Sequence, residues 1–236
     1  MSNIRLFFSE SLSINFESKL NKPQSHYLTK VMRIKVGENF SLFNANGEWS
    51  AKITEISKGI AEFIVIEKLR QKDIAKEIWL AFSPIKSNYF NFMIQKATEL
   101  GVTRFIPIIF DRTIVRKINK ERLEKIIIEA TEQSNRIHIP IIEKPQNLKN
   151  FLNNYSKKID LVFTDLNTTK KKLEVNKEAN KPLCAIVGPE GDFSEKEREL
   201  ILNFKNVRSV NINQNILRAE TASISIISII SYILSL

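Results

Sequence analysis

Two short segments near the C-terminal end contain residue types that could hold a ligand and move a proton. The first, Gly188-Pro189-Glu190-Gly191, follows an apolar run and precedes a helix-start signal, the S-x-x-E capping box of Ser194 and Glu197. Its glycines would let a ligand approach main-chain groups closely, as recognition of an adenine or an amino-acid tail requires. The spacing is not that of a phosphate-binding loop, and the acid Glu190 would repel phosphate. Taken alone, this segment indicates either a ligand loop or a plain structural turn.

The second segment is a polar stretch, residues 213–222, which leads into an apolar C-terminal helix. It holds Arg218 and Glu220 at the mouth of a region that is otherwise almost uncharged. Once buried, an arginine and a glutamate need partners. The two residues therefore pair with each other, cap the helix, or serve a site.

The elements that must position these segments follow from the apolar pattern. Strand-length apolar runs occur at residues 78–82, 105–110, 161–164, 183–187 and 207–212. Amphipathic helical faces lie between them, one from Tyr89 to a stop at Gly101 and another from Leu148 to Tyr155. Strand-helix alternation predicts an α/β fold with a parallel sheet and helices on both faces. The glycine-containing turn would then lie at the carboxyl edge of the sheet, where such folds bind ligands.

The N-terminal part has a different pattern, with short strands joined by turns. Trp49, Ala51 and Ile53 alternate with polar residues, and Asn44-Ala45-Asn46-Gly47 supplies a turn that tolerates positive φ. We predict a small β-barrel here. A candidate linker follows at residues 68–77, where the sequence becomes charged and loses its period.

The chain is basic. Its 236 residues include 36 Lys+Arg and 26 Asp+Glu, a formal net charge of +10. This excess suits a polyanionic partner, because each cation that neutralises a phosphate releases counterions. The densest basic stretch is residues 112–125, and Lys170-Lys171-Lys172 forms a second cluster, although either could equally be a solvated surface. Cations beside aromatic residues near the N-terminus suit unpaired RNA bases.

Other classes of protein are disfavoured. Cys184 is the only cysteine, so an internal disulfide and a cysteine-based metal cluster are excluded, and we predict no metal site. Its apolar flanks predict a buried strand residue. No signal-like apolar stretch opens the sequence, and the apolar C-terminal helix is too short and too rich in serine to span a membrane. We therefore expect a cytoplasmic protein with no membrane partner.

Several motifs, in order, resemble those of a known family, the SPOUT-class methyltransferases that methylate N3 of a uridine in the 16S rRNA of the small ribosomal subunit. The resemblance covers nearly the whole chain. The similar segments are V-G-P-E-G-x-F at 187–193, N-I-L-R-A-E-T-A at 215–222, Q-K-A-T-E-L-G-V at 95–102, E-A-T-E-Q-S-N-R at 129–136, R-L-F-F at 5–8, and His26-Tyr27 with Val31, Arg33 and Gly37.

The resemblance implies a fold, a cofactor and partners. The fold is a PUA-like RNA-binding β-barrel, residues 1–72, followed by a SPOUT methyltransferase domain, residues 73–236, whose parallel sheet ends in a C-terminal trefoil knot. The cofactor is S-adenosylmethionine (SAM), bound in the knot. The partners are 16S rRNA, within the small ribosomal subunit, and a second copy of the chain in a homodimer.

The resemblance also implies site residues. Cofactor binding is assigned to Gly188, Pro189, Glu190, Gly191, Ile212, Asn215, Ile216, Leu217 and Thr164. RNA binding is assigned to Arg5, His26, Arg33 and Arg136. For catalysis, Arg218 would stabilise negative charge on the uracil oxygens, while Glu220 and Glu190 are the candidates for accepting the N3 proton. Either glutamate could instead orient Arg218 or the backbone.

Two residues depart from the family pattern. Asp192 and Asn213 stand where the family usually has glycine, although both residue types tolerate left-handed backbone, so the turns can survive.

Two alternatives to this activity remain. A non-catalytic rRNA-binding assembly factor would have the same basic surface. A SPOUT methyltransferase with another RNA target would have the same cofactor motifs.

Overall fold

A computed structural model describes residues 4–71, 76–174 and 181–235, with the side chain of Ser87 excepted. The chain forms two compact units. We name them the N-terminal unit, Met1–Ile74 with Thr131–Ile139, and the C-terminal unit, Ala75–Ala130 with Pro140–Leu236. Residues 131–139, which the sequence predicts to belong to the second domain, pack with the N-terminal unit.

The N-terminal unit is built on one sheet of five strands. They are β1 (Arg5–Phe7), β2 (Glu17–Lys19), β3 (Asn39–Asn44), β4 (Gly47–Ser57) and β5 (Ile60–Gln71), in the order β1-β3-β4-β5-β2. The short helix α1 (Lys22–His26) continues into a π-helical turn, Tyr27–Val31. Only the pairing of β1 with β3 is parallel.

Local patterns account for the β3–β4 hairpin. Asn44 pairs with Gly47 across the predicted turn. Gly47 has φ +146°, and a Cβ there would lie 2.4 Å from the carbonyl oxygen of Arg70, so only glycine fits. Trp49, Ala51 and Ile53 are buried, as their alternation predicts. The predicted linker was placed too early, because β5 extends to Gln71, and its residues 72–75 lie outside the described part of the chain.

The C-terminal unit contains a seven-stranded sheet in which every pairing is parallel. Its strands are β6 (Ile78–Phe82), β7 (Val102–Ile109), β8 (Ile141–Ile142), β9 (Gln146–Asn147), β10 (Asp160–Thr164), β11 (Leu183–Val187) and β12 (Val207–Val210). The helices are α2 (Ser87–Glu99), α3 (Lys120–Gln133, whose last residues belong to the N-terminal unit), α4 (Leu148–Tyr155), α5 (Glu195–Leu202) and α6 (Ala219–Ser235). The predicted parallel α/β sheet is confirmed.

The strand order brings three strand ends together. The sheet runs β12-β10-β11-β6-β7-β8, with β9 beside β7, so β10 lies between β11 and β12. The chain passes from β10 to β11 on one side and later to β12 on the other. A reversal of this kind leaves a crevice at the carboxyl ends of the strands, which is where ligands bind in open α/β sheets.

The apolar runs of the sequence form strands whose side chains fill the core of the C-terminal unit. Phe163, Cys184, Ile186 and Phe193 are all buried in one cluster beneath this edge. Burial raises the pKa of the Cys184 thiol, which keeps it protonated and unreactive, as expected of a strand residue in the core. No helix among the described residues is both long and apolar enough to cross a membrane.

Candidate functional site

A cavity of about 250 Å³ opens at the carboxyl ends of β10, β11 and β12. Among its lining residues are eight of the nine that the sequence analysis assigned to the cofactor: Thr164, Gly188, Pro189, Glu190, Ile212, Asn215, Ile216 and Leu217. The ninth, Gly191, lies in the same loop but does not line the cavity. Arg218 also lines it, whereas Glu220 does not. The two sequence segments therefore meet at one site.

The loop after β11 is shaped by a phenylalanine. Phe193 packs edge-on against Phe110 and Phe163, with ring centroids 5.1 Å apart in each pair. Gly188 lies against this ring, and neither Gly188 nor Gly191 has a positive φ. The absence of a side chain at Gly188 therefore serves close packing.

Asp192 takes the left-handed conformation that a glycine would adopt there, with φ +62°. Its Oδ1 accepts a hydrogen bond from the main-chain N–H of Phe193 at 2.8 Å, and its own N–H donates to the carbonyl of Pro189 at 3.0 Å. These local bonds stabilise the turn without glycine. The expectation that the turn survives Asp192 is confirmed.

The helix start after this loop has the predicted capping box. Ser194 Oγ accepts from the N–H of Glu197, and the Glu197 carboxylate accepts from the N–H of Ser194 at 2.9 Å. The buried Glu197 also accepts from the N–H of Asp111 at 2.8 Å, and Ser194 Oγ donates to Asp111 Oδ2 at 2.7 Å. The segment after β7 is thus tied to the beginning of α5.

A second contact from the same segment reaches the glycine turn. Arg112 Nη1 donates to the carbonyl oxygen of Gly191 at 2.8 Å. The sequence analysis counted Arg112 only as part of a basic stretch. No local signal could have identified this contact, because the two residues are 79 positions apart.

A buried carboxylate lies at the end of β10. Asp165, 4% exposed, lines the cavity and pairs with Arg198, whose Nη2 lies 2.9 Å from Oδ2. Ser209 Oγ donates to the same oxygen at 3.3 Å. The hydrogen bond to Asp165 raises the pKa of the Arg198 guanidinium, which therefore stays charged. The sequence analysis missed Asp165, although its position one residue after a buried strand was a usable signal.

The second loop is organised by asparagine side chains. Asn211 Oδ1 accepts from the N–H of Asn213 at 3.1 Å, and Asn213 Oδ1 accepts from the N–H of Asn215 at 2.8 Å. Asn213 does not have a positive φ, so a glycine is not required by backbone conformation. The side chain at this position supplies a turn-stabilising acceptor that glycine would lack.

Arg218 ends this loop and precedes α6, and its carbonyl accepts from the N–H of Ala222 in the first turn of that helix. The guanidinium carbon lies 5.7 Å from the ring centroid of Tyr89, within cation–π range. Arg218 is exposed, Glu220 is half-buried, and no ion pair joins them. The reading that these two residues merely neutralise each other is therefore wrong, and the Arg218 side chain is free to face a ligand.

The charge around the cavity is opposite to that of the chain as a whole. Three carboxylates line it, those of Asp165, Glu190 and Asp192, against the single guanidinium of Arg218. Arg198 neutralises Asp165, which still leaves one excess negative charge. An acidic cavity in a protein of net charge +10 favours a cationic ligand and disfavours a free phosphate.

The residues predicted to bind RNA belong to the N-terminal unit and differ in accessibility. His26 and Arg33 are exposed, as an RNA contact requires. Arg136 is half-buried, and burial lowers the pKa of its guanidinium to about 10, which leaves it charged at neutral pH.

Arg5 is the exception, because it is 7% exposed. Its Nε donates to Glu48 at 2.9 Å, and its terminal nitrogens donate to Glu48 again and to the carbonyls of Thr131, Glu132 and Arg136. All five N–H donors of the guanidinium are used within the unit. The assignment of Arg5 to RNA is therefore corrected: it fastens residues 131–136 to the sheet.

Comparisons with known proteins agree on one family. A model described as an RNA methyltransferase domain matches residues 72–231, and one described as an RNA methyltransferase PUA domain matches residues 20–66. The ribosomal RNA small subunit methyltransferase E of Rickettsia conorii is 36% identical over 231 residues, covering 95% of this chain and 93% of that protein. Its namesake from Aquifex aeolicus is 32% identical over 233 residues, covering 96% and 99%. A crystal structure of a ribosomal RNA small subunit methyltransferase E from Neisseria gonorrhoeae, bound to S-adenosyl methionine, matches with a TM-score of 0.89 and 26% identity over 98% of both chains.

Proposed function

This chain belongs to the RNA methyltransferase family that contains the ribosomal RNA small subunit methyltransferases E, and on that premise we propose that it methylates N3 of a uridine in 16S rRNA. It is a SAM-dependent rRNA methyltransferase. The observation that carries the finer proposal is the cavity where the Gly188–Gly191 turn and the 212–218 loop meet beside an exposed Arg218.

The lining of the cavity fits SAM. When bound, this cofactor supplies a methyl group activated on a positively charged sulfonium. The excess of carboxylates favours such a cation, and the main chain around Gly188 offers donors and acceptors for an adenine or amino-acid group. Ile212, Ile216 and Leu217 would cover its apolar surface.

The positions of Glu190 and Arg218 in the cavity lining suggest their roles in the reaction. Methylation breaks the S–CH₃ bond, forms an N3–CH₃ bond and releases the N3 proton, so the protein must hold an unpaired uracil and accept that proton. We assign the acceptor to Glu190, because it lines the cavity and Glu220 does not. A carboxylate is a weak base for this proton. Arg218 compensates by stabilising the negative charge that develops on a uracil oxygen.

We also propose which surfaces of the protein bind rRNA and a second copy of the chain. His26 and Arg33 form an exposed basic surface for rRNA on the N-terminal unit, and residues 112–125 offer a second on the C-terminal unit. A homodimer is supported by exposed aromatic side chains on α2 and α6, those of Tyr89, Phe92 and Tyr232. Because the substrate is ribosomal RNA, we also propose a cytoplasmic location.

We also propose the roles of the two domains and a trefoil knot in the second. Residues 1–72, supplemented by residues 131–139, would act as the PUA-like β-barrel, and the rest of residues 73–236 as the methyltransferase domain. The trefoil knot is supported by the position of β10 between β11 and β12 and by the long loop that returns from β12 to α6. This topology would account for a cofactor cavity built mainly from the loops that follow β10, β11 and β12.

The decisive experiment is to map the methylated nucleotide. Small subunits from a strain lacking the gene are incubated with the purified protein and SAM, and digested rRNA is analysed by mass spectrometry. One new 3-methyluridine in 16S rRNA is expected. A methyl group on a ribose or in another RNA would point to a different target, and no SAM binding with no new methyl group would point to an assembly factor.

A further inference from the structure

Arg112 lies outside every motif that identified the site, yet it contacts the loop of residues 188–194, which we call the cofactor loop. Its Nη1 donates to the Gly191 carbonyl at 2.8 Å. Its neighbour Asp111 accepts from Ser194 Oγ at 2.7 Å. Two adjacent residues therefore hold the middle and the end of the cofactor loop, while the Phe193 ring packs beneath its beginning.

The contact with Gly191 involves packing as well as a hydrogen bond. A Cβ on Gly191 would lie 3.4 Å from the Cβ of Arg112 and 3.5 Å from its Cδ, so the aliphatic stem of the arginine runs directly along this residue. Gly191 does not line the cavity, but Glu190 and Asp192 on either side of it do. A fixed Gly191 peptide therefore sets the direction in which both carboxylates face.

We propose that Arg112 is a positioning residue for SAM, which holds the cofactor loop in its binding conformation through the Gly191 carbonyl. The inference rests on the proposed function. Arg112 does not line the cavity, so its effect on the cofactor passes through the loop. Without this bond, the turn between two exposed acids has one fewer long-range restraint, and part of the SAM binding energy is spent on ordering it.

The charge of Arg112 must be separated from its hydrogen bond, because the residue begins the basic stretch of residues 112–125. Arg116 is the matched control, since it is also an exposed arginine of that stretch and neither a hydrogen bond nor an ion pair joins it to the cofactor loop. Arg112→Met and Arg116→Met remove the same charge and retain an unbranched side chain. Arg112→Lys retains the charge and one route to the carbonyl.

The test combines calorimetry with SAM and steady-state kinetics on small ribosomal subunits, at one ionic strength. Arg112→Met is expected to weaken SAM binding about 3- to 10-fold, the range for the net contribution of one typical hydrogen bond. The KM for SAM rises equally, whereas kcat at saturating SAM and the melting temperature without SAM stay as in the wild type. The KM for the subunit changes to the same extent in Arg112→Met and Arg116→Met, because both variants lose one charge of the same basic stretch. Arg112→Lys recovers part of the affinity, and Arg116→Met leaves SAM binding unchanged.

The outcomes separate the inference from the function on which it rests. If the wild type binds SAM and Arg112→Met binds it equally well, the positioning role is wrong and the methyltransferase proposal stands. Equal weakening by both methionine variants would assign the effect to net charge and also overturn the inference. No heat with the wild type would overturn the proposed function itself.

Discussion

The ring of Phe193 fills the space that a side chain on Gly188 would need. A Cβ on Gly188 would lie 2.7 Å from Cε2 and 2.9 Å from Cζ of that ring, well inside van der Waals contact. The ring cannot withdraw easily, because Phe110 and Phe163 pack edge-on against it. The first glycine of the turn is thus required by the core beneath the cavity, in addition to any need of the ligand above it.

Gly188→Ala is therefore expected to damage the site and the fold together. The added methyl group must displace Phe193 or the loop, at a cost of about 1–3 kcal/mol in the free energy of unfolding. Urea unfolding and calorimetry with SAM would show lower stability and no measurable binding. Gly191→Ala is the control, since its Cβ would lie 3.4 Å from Arg112 Cβ, which is an ordinary van der Waals contact. Equal losses in both variants would contradict the packing argument.

Arg218→Ala is expected to abolish methyl transfer and leave the fold intact. Arg218 lines the cavity and is exposed, so its removal leaves no buried charge unpaired. Loss of one group that stabilises charge in the transition state costs about 100- to 1,000-fold in kcat. Single-turnover methylation of small subunits at saturating SAM measures this effect, and calorimetry checks that SAM still binds. Near-normal turnover would remove Arg218 from the mechanism.

The two candidate proton acceptors can be separated by matched amide variants. Glu190→Gln removes the carboxylate that lines the cavity and is expected to lower kcat about 100-fold or more, as loss of a general base does. Glu220→Gln changes a residue outside the cavity lining and is expected to retain most of the activity. The same single-turnover assay measures both. If Glu220→Gln is the slower variant, the assignment of the base is reversed.

The parts of the site that the sequence predicted are those encoded locally. The capping box at Ser194 and Glu197 depends on residues three positions apart, and the 183–187 run is a strand because its side chains are apolar throughout. Parallel strands share one carboxyl edge, so the Gly188–Gly191 turn had to lie near the ends of the neighbouring strands.

The parts that the sequence did not predict depend on contacts between distant positions. Arg5 was interpreted as an RNA ligand because it stands beside aromatic residues, but its partner Glu48 lies 43 positions away and removes it from solvent. Residues 131–139 belong to the N-terminal unit for the same reason, since carbonyls of that segment satisfy Arg5. The hydrophobic periodicity of a sequence does not indicate that a particular carboxylate and arginine will be buried against each other.

The Glu48 cluster makes the stability of the N-terminal unit depend on acid pH. Burial would raise the pKa of Glu48, but hydrogen bonds from Arg5 and Arg70 hold it below the ordinary value of 4.5. A lowered folded-state pKa contributes stability that is present above the ordinary value and is lost as pH falls through the folded-state value. The wild type should therefore lose stability steeply below pH 4.5, and Glu48→Gln, already destabilised at pH 7, should lose less.

Fluorescence of Trp49 in a Trp79→Phe background would report on the N-terminal unit during urea unfolding. At pH 7, removal of one partner of a buried ion pair costs about 3–5 kcal/mol. Glu62→Gln is the control, because its pair with Lys19 is largely exposed and contributes little to stability. Parallel pH profiles for wild type and Glu48→Gln would show that this carboxylate does not set the acid limit.

The same burial separates two arginines that the sequence treated alike as RNA ligands. Arg33 is exposed, so Arg33→Ala is expected to weaken binding to small subunits and to lower the slope of log K against log salt by about 1, the effect of one lost phosphate contact. Arg5→Lys retains the charge but not the five-donor geometry, so it is expected to lower the stability of the N-terminal unit and leave the slope unchanged in protein that remains folded.

Filter binding between low and physiological salt measures both slopes. A reduced slope for folded Arg5→Lys would return Arg5 to the RNA surface. An unchanged slope for Arg33→Ala would show that the exposed cations after α1 do not contact phosphate, and the basic residues 112–125 would then have to carry the salt dependence.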